Sequence, residues 1–159
     1  MTAEHFRELY EYHFSLNRKL WDELVMPLSK EQFVQDLPYS VGSIRNQCVH
    51  MMNIDDRWFS GLRGEEVPGF ANPVHYGTRE KIRAEWDGVV EKQREYLASL
   101  TDEKLETLMG GDEPFRGWRV LQHVLLHGMD HRAQMLAMLN GMGVKTWPQD
   151  YALRLMGRI

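Results

Sequence analysis

Residues 123–134 read HVLLHGMDHRAQ, which places His123, His127 and His131 at i, i+4 and i+8. On a helix that spacing stacks three imidazoles along one face. Imidazole is the commonest side-chain ligand for metals, so the stretch is either a metal site or a histidine-filled core. Each i to i+4 step climbs about 6 Å, so His123 and His131 stand about 12 Å apart, while a metal holds its nitrogens at about 2 Å. One ion can therefore take His123 with His127, or His127 with His131, and must find its other ligands elsewhere. His13 and His50 lie on the inward stripes of two other helical segments and are available. Burying several imidazoles with no shared purpose costs desolvation without gain, which favours the metal.

The surrounding residues narrow the architecture. A ferritin-like di-iron bundle needs Glu-x-x-His on two helices, but Gln47 precedes His50 by three and Val124 precedes His127 by three. The HExxH zinc motif is also absent, because Gly128 follows His127. What remains is a single ion held by two histidines of the last helix and one of the second. Three neutral imidazoles leave positions open for water or substrate, which is the catalytic rather than the closed structural pattern.

Four long segments must position these groups. The first runs from about Ala3 to Met26, with Phe6, Leu9, Tyr10, His13, Asn17, Leu20, Trp21 and Leu24 on one stripe and Pro27 ending it. The second runs from about Val41 to Leu62, with Ile44, Gln47, His50, Met51, Ile54, Trp58 and Leu62 inward and Gly61 and Gly64 closing it. The third opens at Thr78 as N-cap and carries Ile82, Trp86, Val89, Val90, Gln93, Leu97 and Leu100. The fourth starts at Gly117–Trp118 and stops in a left-handed residue at Asn140–Gly141. Ser29 and Gln32 are spaced as a capping box for a short helix after the first segment, and Thr101 opens a similar one after the third. The chain thus reads as two related halves: long helix, short capped helix, long histidine-bearing helix. Residues 63–77 form a long loop between them, a length that often covers a neighbouring surface. The expected fold is all-α, a four-helix bundle with short helices in its connections, in one domain over residues 1–159.

Composition removes several function classes. The 159 residues are 43% hydrophobic and 26% charged, with a formal net charge of −4 and no basic stripe for a phosphate backbone. No apolar run approaches the roughly 18 residues that span a bilayer, and the charged, amphipathic N-terminus does not read as a signal peptide. The single Cys48 excludes an internal disulfide and a CxxC zinc site, so a reducing cytoplasm is the expected setting. It turns away from His50 and reads as buried and inert. The tail WPQDYALRLMGRI is expected to pack back through Trp147, Tyr151 and Leu155.

The stretch SIRNQCVHMMNIDDRWF, followed by LQHVLLHGMDHRAQM and then LNGMG and WPQDY, resembles the DinB/YfiT family of metal-binding four-helix bundles. HFSLNRKLW, with His13 and Asn17, is similar to that family's first helix. The resemblance spans nearly the whole chain. It implies that His50, His127 and His131 are the metal ligands and leaves His123 as a neighbour that lines the pocket or packs. Arg132 and Gln134 follow the family's H-R-x-Q pattern and read as contacts between helices. Asp130 departs from a position where relatives carry another polar residue or a further His; it is a group behind the ligands or a solvent-facing one.

The resemblance further implies one divalent ion, zinc or nickel first, with iron, cobalt or manganese as alternatives. It implies a metal-dependent enzyme: a thiol-dependent S-transferase or isomerase using a low-molecular-weight thiol, or a hydrolase. His123, Asp130 and Asp55 are candidate bases, although Asp55 is only five residues from His50 and need not face the site. It also implies a homodimer, a small-molecule substrate, and neither nucleic-acid nor membrane partners. The competing readings are a non-catalytic metal-binding or structural bundle acting as a dimeric interaction protein, and a metal-free bundle whose histidines are core polar groups. His13 and Asn17 either orient a ligand or bond each other or Gln93. Met51, Met52, Met129, Met135 and Met138 read as core filling, the five tryptophans as core or rim with Trp58 able to wall a pocket, and His5 and His75 as surface.

Overall fold

The computed structural model describes residues 1–109 and 114–158. Its long helices are α1 (Ala3–Leu20), α3 (Ile44–Arg63), α4 (Arg79–Ala98) and α6 (Gly117–Gly141), joined by the short α2 (Lys30–Val34) and α5 (Asp102–Glu106) and followed by α7 (Tyr151–Leu155). Side-chain caps begin most of them: Thr2, Ser43, Thr78 and Thr101 each accept from a backbone N–H in the first turn. Ser29 and Gln32 form the full reciprocal capping box of α2. α1 continues through one π-helical turn at Trp21–Val25, whose end is tied down by Arg79, donating to the carbonyls of Val25, Met26 and Leu28.

Packing makes a ring in which α1 and α3 both lie against α4 and α6. Side-chain partners set the directions. Arg7 reaches the carbonyls of Leu97 and Leu100 while Arg83 pairs with Asp22, so α1 and α4 are antiparallel. His50 meets His127 while Trp58 meets His123, so α3 and α6 are antiparallel too. Tyr10 bonds the Leu121 carbonyl while Asn17 bonds Arg132, so α1 and α6 run the same way. It follows that α3 and α4 are parallel, although they are consecutive. The chain must return along the roughly 30 Å of a 20-residue helix, and this is why residues 64–78 are long. The loop is pinned to α3 on its way: Asn53 accepts from Ala71 N and donates to Gly69 O, and Arg57 donates to the Pro68 carbonyl.

The interior is two apolar clusters. One holds Leu20, Trp21, Ile44, Met51, Ile82, Trp86, Met135 and Leu139; the other holds Phe6, Tyr10, Phe14, Phe59, Leu97, Val120 and Leu121. Between them along every long helix lies a buried polar level: His13 and Asn17 from α1, Asp55 from α3, Gln93 from α4 and Arg132 from α6. Gly128 makes room for it, since a β-carbon there would lie 2.2 Å from His13 Cε1.

Several details differ from the sequence-based expectation. The left-handed residue after α6 is Gly143, with φ +80°, because α6 runs through Gly141 before turning at Met142. The buried face of α3 is rotated toward Asp55 and Phe59, leaving His50, Ile54 and Trp58 half-buried. Met129 and Leu155 are exposed rather than packed, while Trp147 and Tyr151 do pack, Tyr151 edge-on to Tyr12. Leu108–Met109 and Phe115–Arg116 form a two-residue antiparallel pair that periodicity did not foretell.

Asp55 has both carboxylate oxygens buried without a hydrogen-bond partner, and desolvation lifts its pKa to about 8 despite the nearby Arg132 charge and the adjacent Gln93 amide. The folded state therefore binds more protons than the unfolded chain above the ordinary carboxylate range, and stability falls as pH rises through that window toward 8. Asp55→Asn removes the ionisation. Thermal melts from pH 6 to 9 should show a flatter decline for the variant and a higher Tm than the parent at pH 8.5; parallel curves would contradict the burial of an unpaired carboxyl.

Candidate metal centre

The polar level reaches the surface between α3 and α6, and there the histidines converge. α3 supplies His50 from its second turn; α6 supplies His127 and His131 one turn apart. Their ligand atoms all lie within 4.8 Å of one another. His50 Nε2 and His127 Nε2 are 3.1 Å apart, close to the roughly 3.3 Å separating two imidazole nitrogens on one tetrahedral ion. The His131 ring centroid lies 4.5 Å from that of His50 and 4.3 Å from that of His127. The donor set thus fits a first-row divalent cation with modest side-chain adjustment.

Partners behind the cluster orient it. His131 Nδ1 donates to Gln47 Oε1 at 2.7 Å, which leaves Nε2 with its lone pair for a ligand. Gln47 Nε2 in turn donates to Gln134 Oε1 at 3.2 Å, and Gln134 Nε2 donates to Asp130 Oδ2 at 2.9 Å. Ser40 Oγ also donates to Gln134 Oε1, tying the loop before α3 into the same chain. His127 is held by packing, its ring centroid 5.9 Å from His123 and 4.3 Å from His131.

The cluster is electrostatically prepared for a cation. Burial, then repulsion from His131, His50 and His123, depresses the His127 pKa to about 3. Burial also lowers His131, helped by His50 and opposed by Asp130, and lowers His50. All three are therefore neutral at pH 7 and offer lone pairs without competition from protons.

Of the other residues singled out from sequence, His123 stands exposed on the rim, edge-on to Trp58 at 5.0 Å. Asp130 is exposed and engaged by Gln134. Asp55 belongs to the core level and not to the cluster. His13 Nδ1 and Asn17 Oδ1 both accept from Arg132 rather than bonding Gln93, and Asn17 Nδ2 lies 3.0 Å from His13 Nε2. Cys48 is buried, with its thiol pushed far up by desolvation, and His5 and His75 are exposed. Sequence reasoning gave Gln47 no role here. The signal was available, since Gln47-x-x-His50 places the two side chains one turn apart on one face.

A four-helix bundle in which three histidines from the second and fourth long helices gather within 4.8 Å defines a class of proteins. The chain belongs to the DinB family, whose profile matches residues 1–157. It is similar to Protein DinB of Bacillus subtilis (strain 168), 28% identical over 159 positions that cover 93% of this chain and 92% of that protein. Its fold matches the crystal structure of a DinB-like protein from Bacillus cereus ATCC 10987 with a TM-score of 0.75 at 21% identity, over 94% of this chain and 98% of that one.

Gln47→Leu removes the acceptor for His131 Nδ1–H without touching a candidate ligand. Zinc affinity of the metal-stripped variant, measured by competition with a chromogenic chelator, should fall about 10- to 100-fold with helical circular dichroism unchanged. An unchanged affinity would show that Gln47 does not orient the ring.

Proposed function

We propose that this chain is a cytoplasmic, metal-dependent enzyme acting on a small molecule, as a thiol-dependent S-transferase or isomerase or as a hydrolase. The observation that carries the reading is that His50, His127 and His131 converge, neutral, where α3 meets α6, with His50 and His127 only half-buried. A divalent ion bound there would lower the pKa of a bound water or thiol and polarise an electrophile. The protein's own groups would do the rest. His50, His127 and His131 hold the ion, zinc or nickel in the first instance, and Gln47 keeps His131 in its ligating tautomer. His123 is the candidate base, being the exposed imidazole beside His127. Asp130 instead acts from behind, through Gln134 and Gln47. A second copy of the chain would find exposed Leu126 and Met129 on α6 as an apolar contact, consistent with a homodimer.

The test strips the protein of metal, reloads it with zinc, nickel or manganese, and assays thiol addition to an electrophilic dye and ester hydrolysis. The enzyme reading expects activity only after reloading, its loss together with the metal in His127→Ala at near-parental Tm, and a kcat loss with metal retained in His123→Ala. Metal binding with a large drop in Tm for His127→Ala and no turnover would favour a structural ion. Activity in the stripped protein would contradict the proposal.

A further inference from the structure

A second feature lies farther along α3, beyond the histidine cluster. Ile54 and Trp58, one and two turns beyond His50, wall a pocket of about 310 Å³ together with Val120 of α6, Phe115 and the loop residues Val67 and Phe70. Its volume is at the lower end of ligand sites and roughly twice that of a cavity that takes up benzene. None of the histidines lines the pocket, but a short run of ring contacts links its Trp58 wall to them. The Trp58 indole meets the His123 ring edge-on at 5.0 Å, and His123 lies 5.9 Å from His127.

Its lining is almost wholly carbon. Among the described residues Arg57 is the one charged group on the wall, and its guanidinium is engaged by the Pro68 carbonyl and by the Phe70 ring 4.0 Å away. Among them, an anionic group would find no free cation there. Phe70, Val67 and Phe115 are exposed at the mouth, and Asn53 clamps the loop that carries the first two. The loop is therefore a fastened roof as well as a connection.

Gly61 also lines the pocket, at its solvent-exposed edge. Gly61 sits inside α3 with no positive φ, and a β-carbon on it would meet nothing within 4 Å. It stands in the last turn of α3, where the Gly64 N–H bonds its carbonyl, and no positive φ or close helix contact there requires glycine. A bulky side chain at this position has room to extend over the pocket.

We propose that this pocket receives the apolar arm, aryl or branched alkyl, of the small molecule whose reactive end lies at the three-histidine cluster. The inference rests on the metal-dependent reading given above. It makes the substrate bipartite: a head of metal-binding or electrophilic chemistry at His50, His127 and His131, a middle passing His123, and an uncharged hydrophobic end against Trp58 and Ile54.

The test uses three probes on zinc-loaded protein by calorimetry and tryptophan fluorescence. Acetohydroxamate is the head alone, 4-phenylbutanohydroxamate adds the arm, and 4-phenylbutan-1-ol is the arm without a metal-binding head. Parent protein should bind the arm-bearing hydroxamate at least about tenfold more tightly than acetohydroxamate, since each buried methylene contributes about 0.8 kcal/mol. Gly61→Phe, which extends over the pocket, should abolish that advantage and leave acetohydroxamate binding unchanged; Gly61→Leu repeats the test if the larger residue unfolds the helix. No advantage in the parent, or one that survives both substitutions, overturns the proposal and leaves the pocket to a partner's side chain. If neither hydroxamate binds but the alcohol quenches parental tryptophan emission and not that of Gly61→Phe, the pocket stands and the metal reading fails. If the alcohol also fails to bind, the pocket falls with it.

Discussion

A buried guanidinium organises this bundle. Arg132 is almost fully enclosed, and burial draws its pKa down to about 10, so it still carries its charge at neutral pH. A buried charge is tolerated only when its donors are used, and here His13 Nδ1, Asn17 Oδ1 and Gln149 Oε1 take them at 2.9 to 3.0 Å. These bonds fix the rotation of α6 about its own axis. With Gly128 and Arg132 turned to α1, the adjacent His127 and His131 must turn to α3, where His50 waits. The histidine cluster is in this sense the outward consequence of a contact in the core. The approach is close enough that only glycine fits at residue 128.

The same polar level explains the charge state of the cluster. Imidazoles gathered on a mostly apolar scaffold repel one another's protons and lose solvation, and both effects favour the neutral form. Neutral histidines are what a divalent cation requires, so burial that would be a liability for a lone His becomes preparation when three share a point. His13 is neutral for related reasons, namely its own burial, the Arg132 charge and nearby His127, and as a neutral ring it can accept from the guanidinium.

Much of this was legible in the residues. Periodicity, caps and the proline and glycine stops located the four long helices and the two short connecting ones, because these signals act within a turn or two of chain, but not α7. The i, i+4 spacing of His127 and His131 put them on one face, and the family resemblance chose them over His123. The exact partner of His13 was not legible, because Gln93 and Arg132 come from different helices and only the packed bundle decides between them. The parallel arrangement of α3 and α4 was also hidden, although the length of the 63–77 loop hinted at it. The rotation of α3 that buries Asp55 and half-exposes His50 could not be read from an apolar stripe that is itself ambiguous by one position. The apolar pocket was the least visible feature, being assembled from two helices, the long loop and Phe115 of the short antiparallel pair.

Everything proposed for this chain depends on the convergence of His50, His127 and His131 being a metal centre rather than a histidine-rich core. Elemental analysis of protein purified without an affinity tag, beside His50→Ala and His127→Ala, tests it most directly. The expected result is about one equivalent of a first-row metal per chain in the parent and a loss of it in both variants. A metal-free parent that takes up none of zinc, nickel or manganese on incubation would contradict the claim.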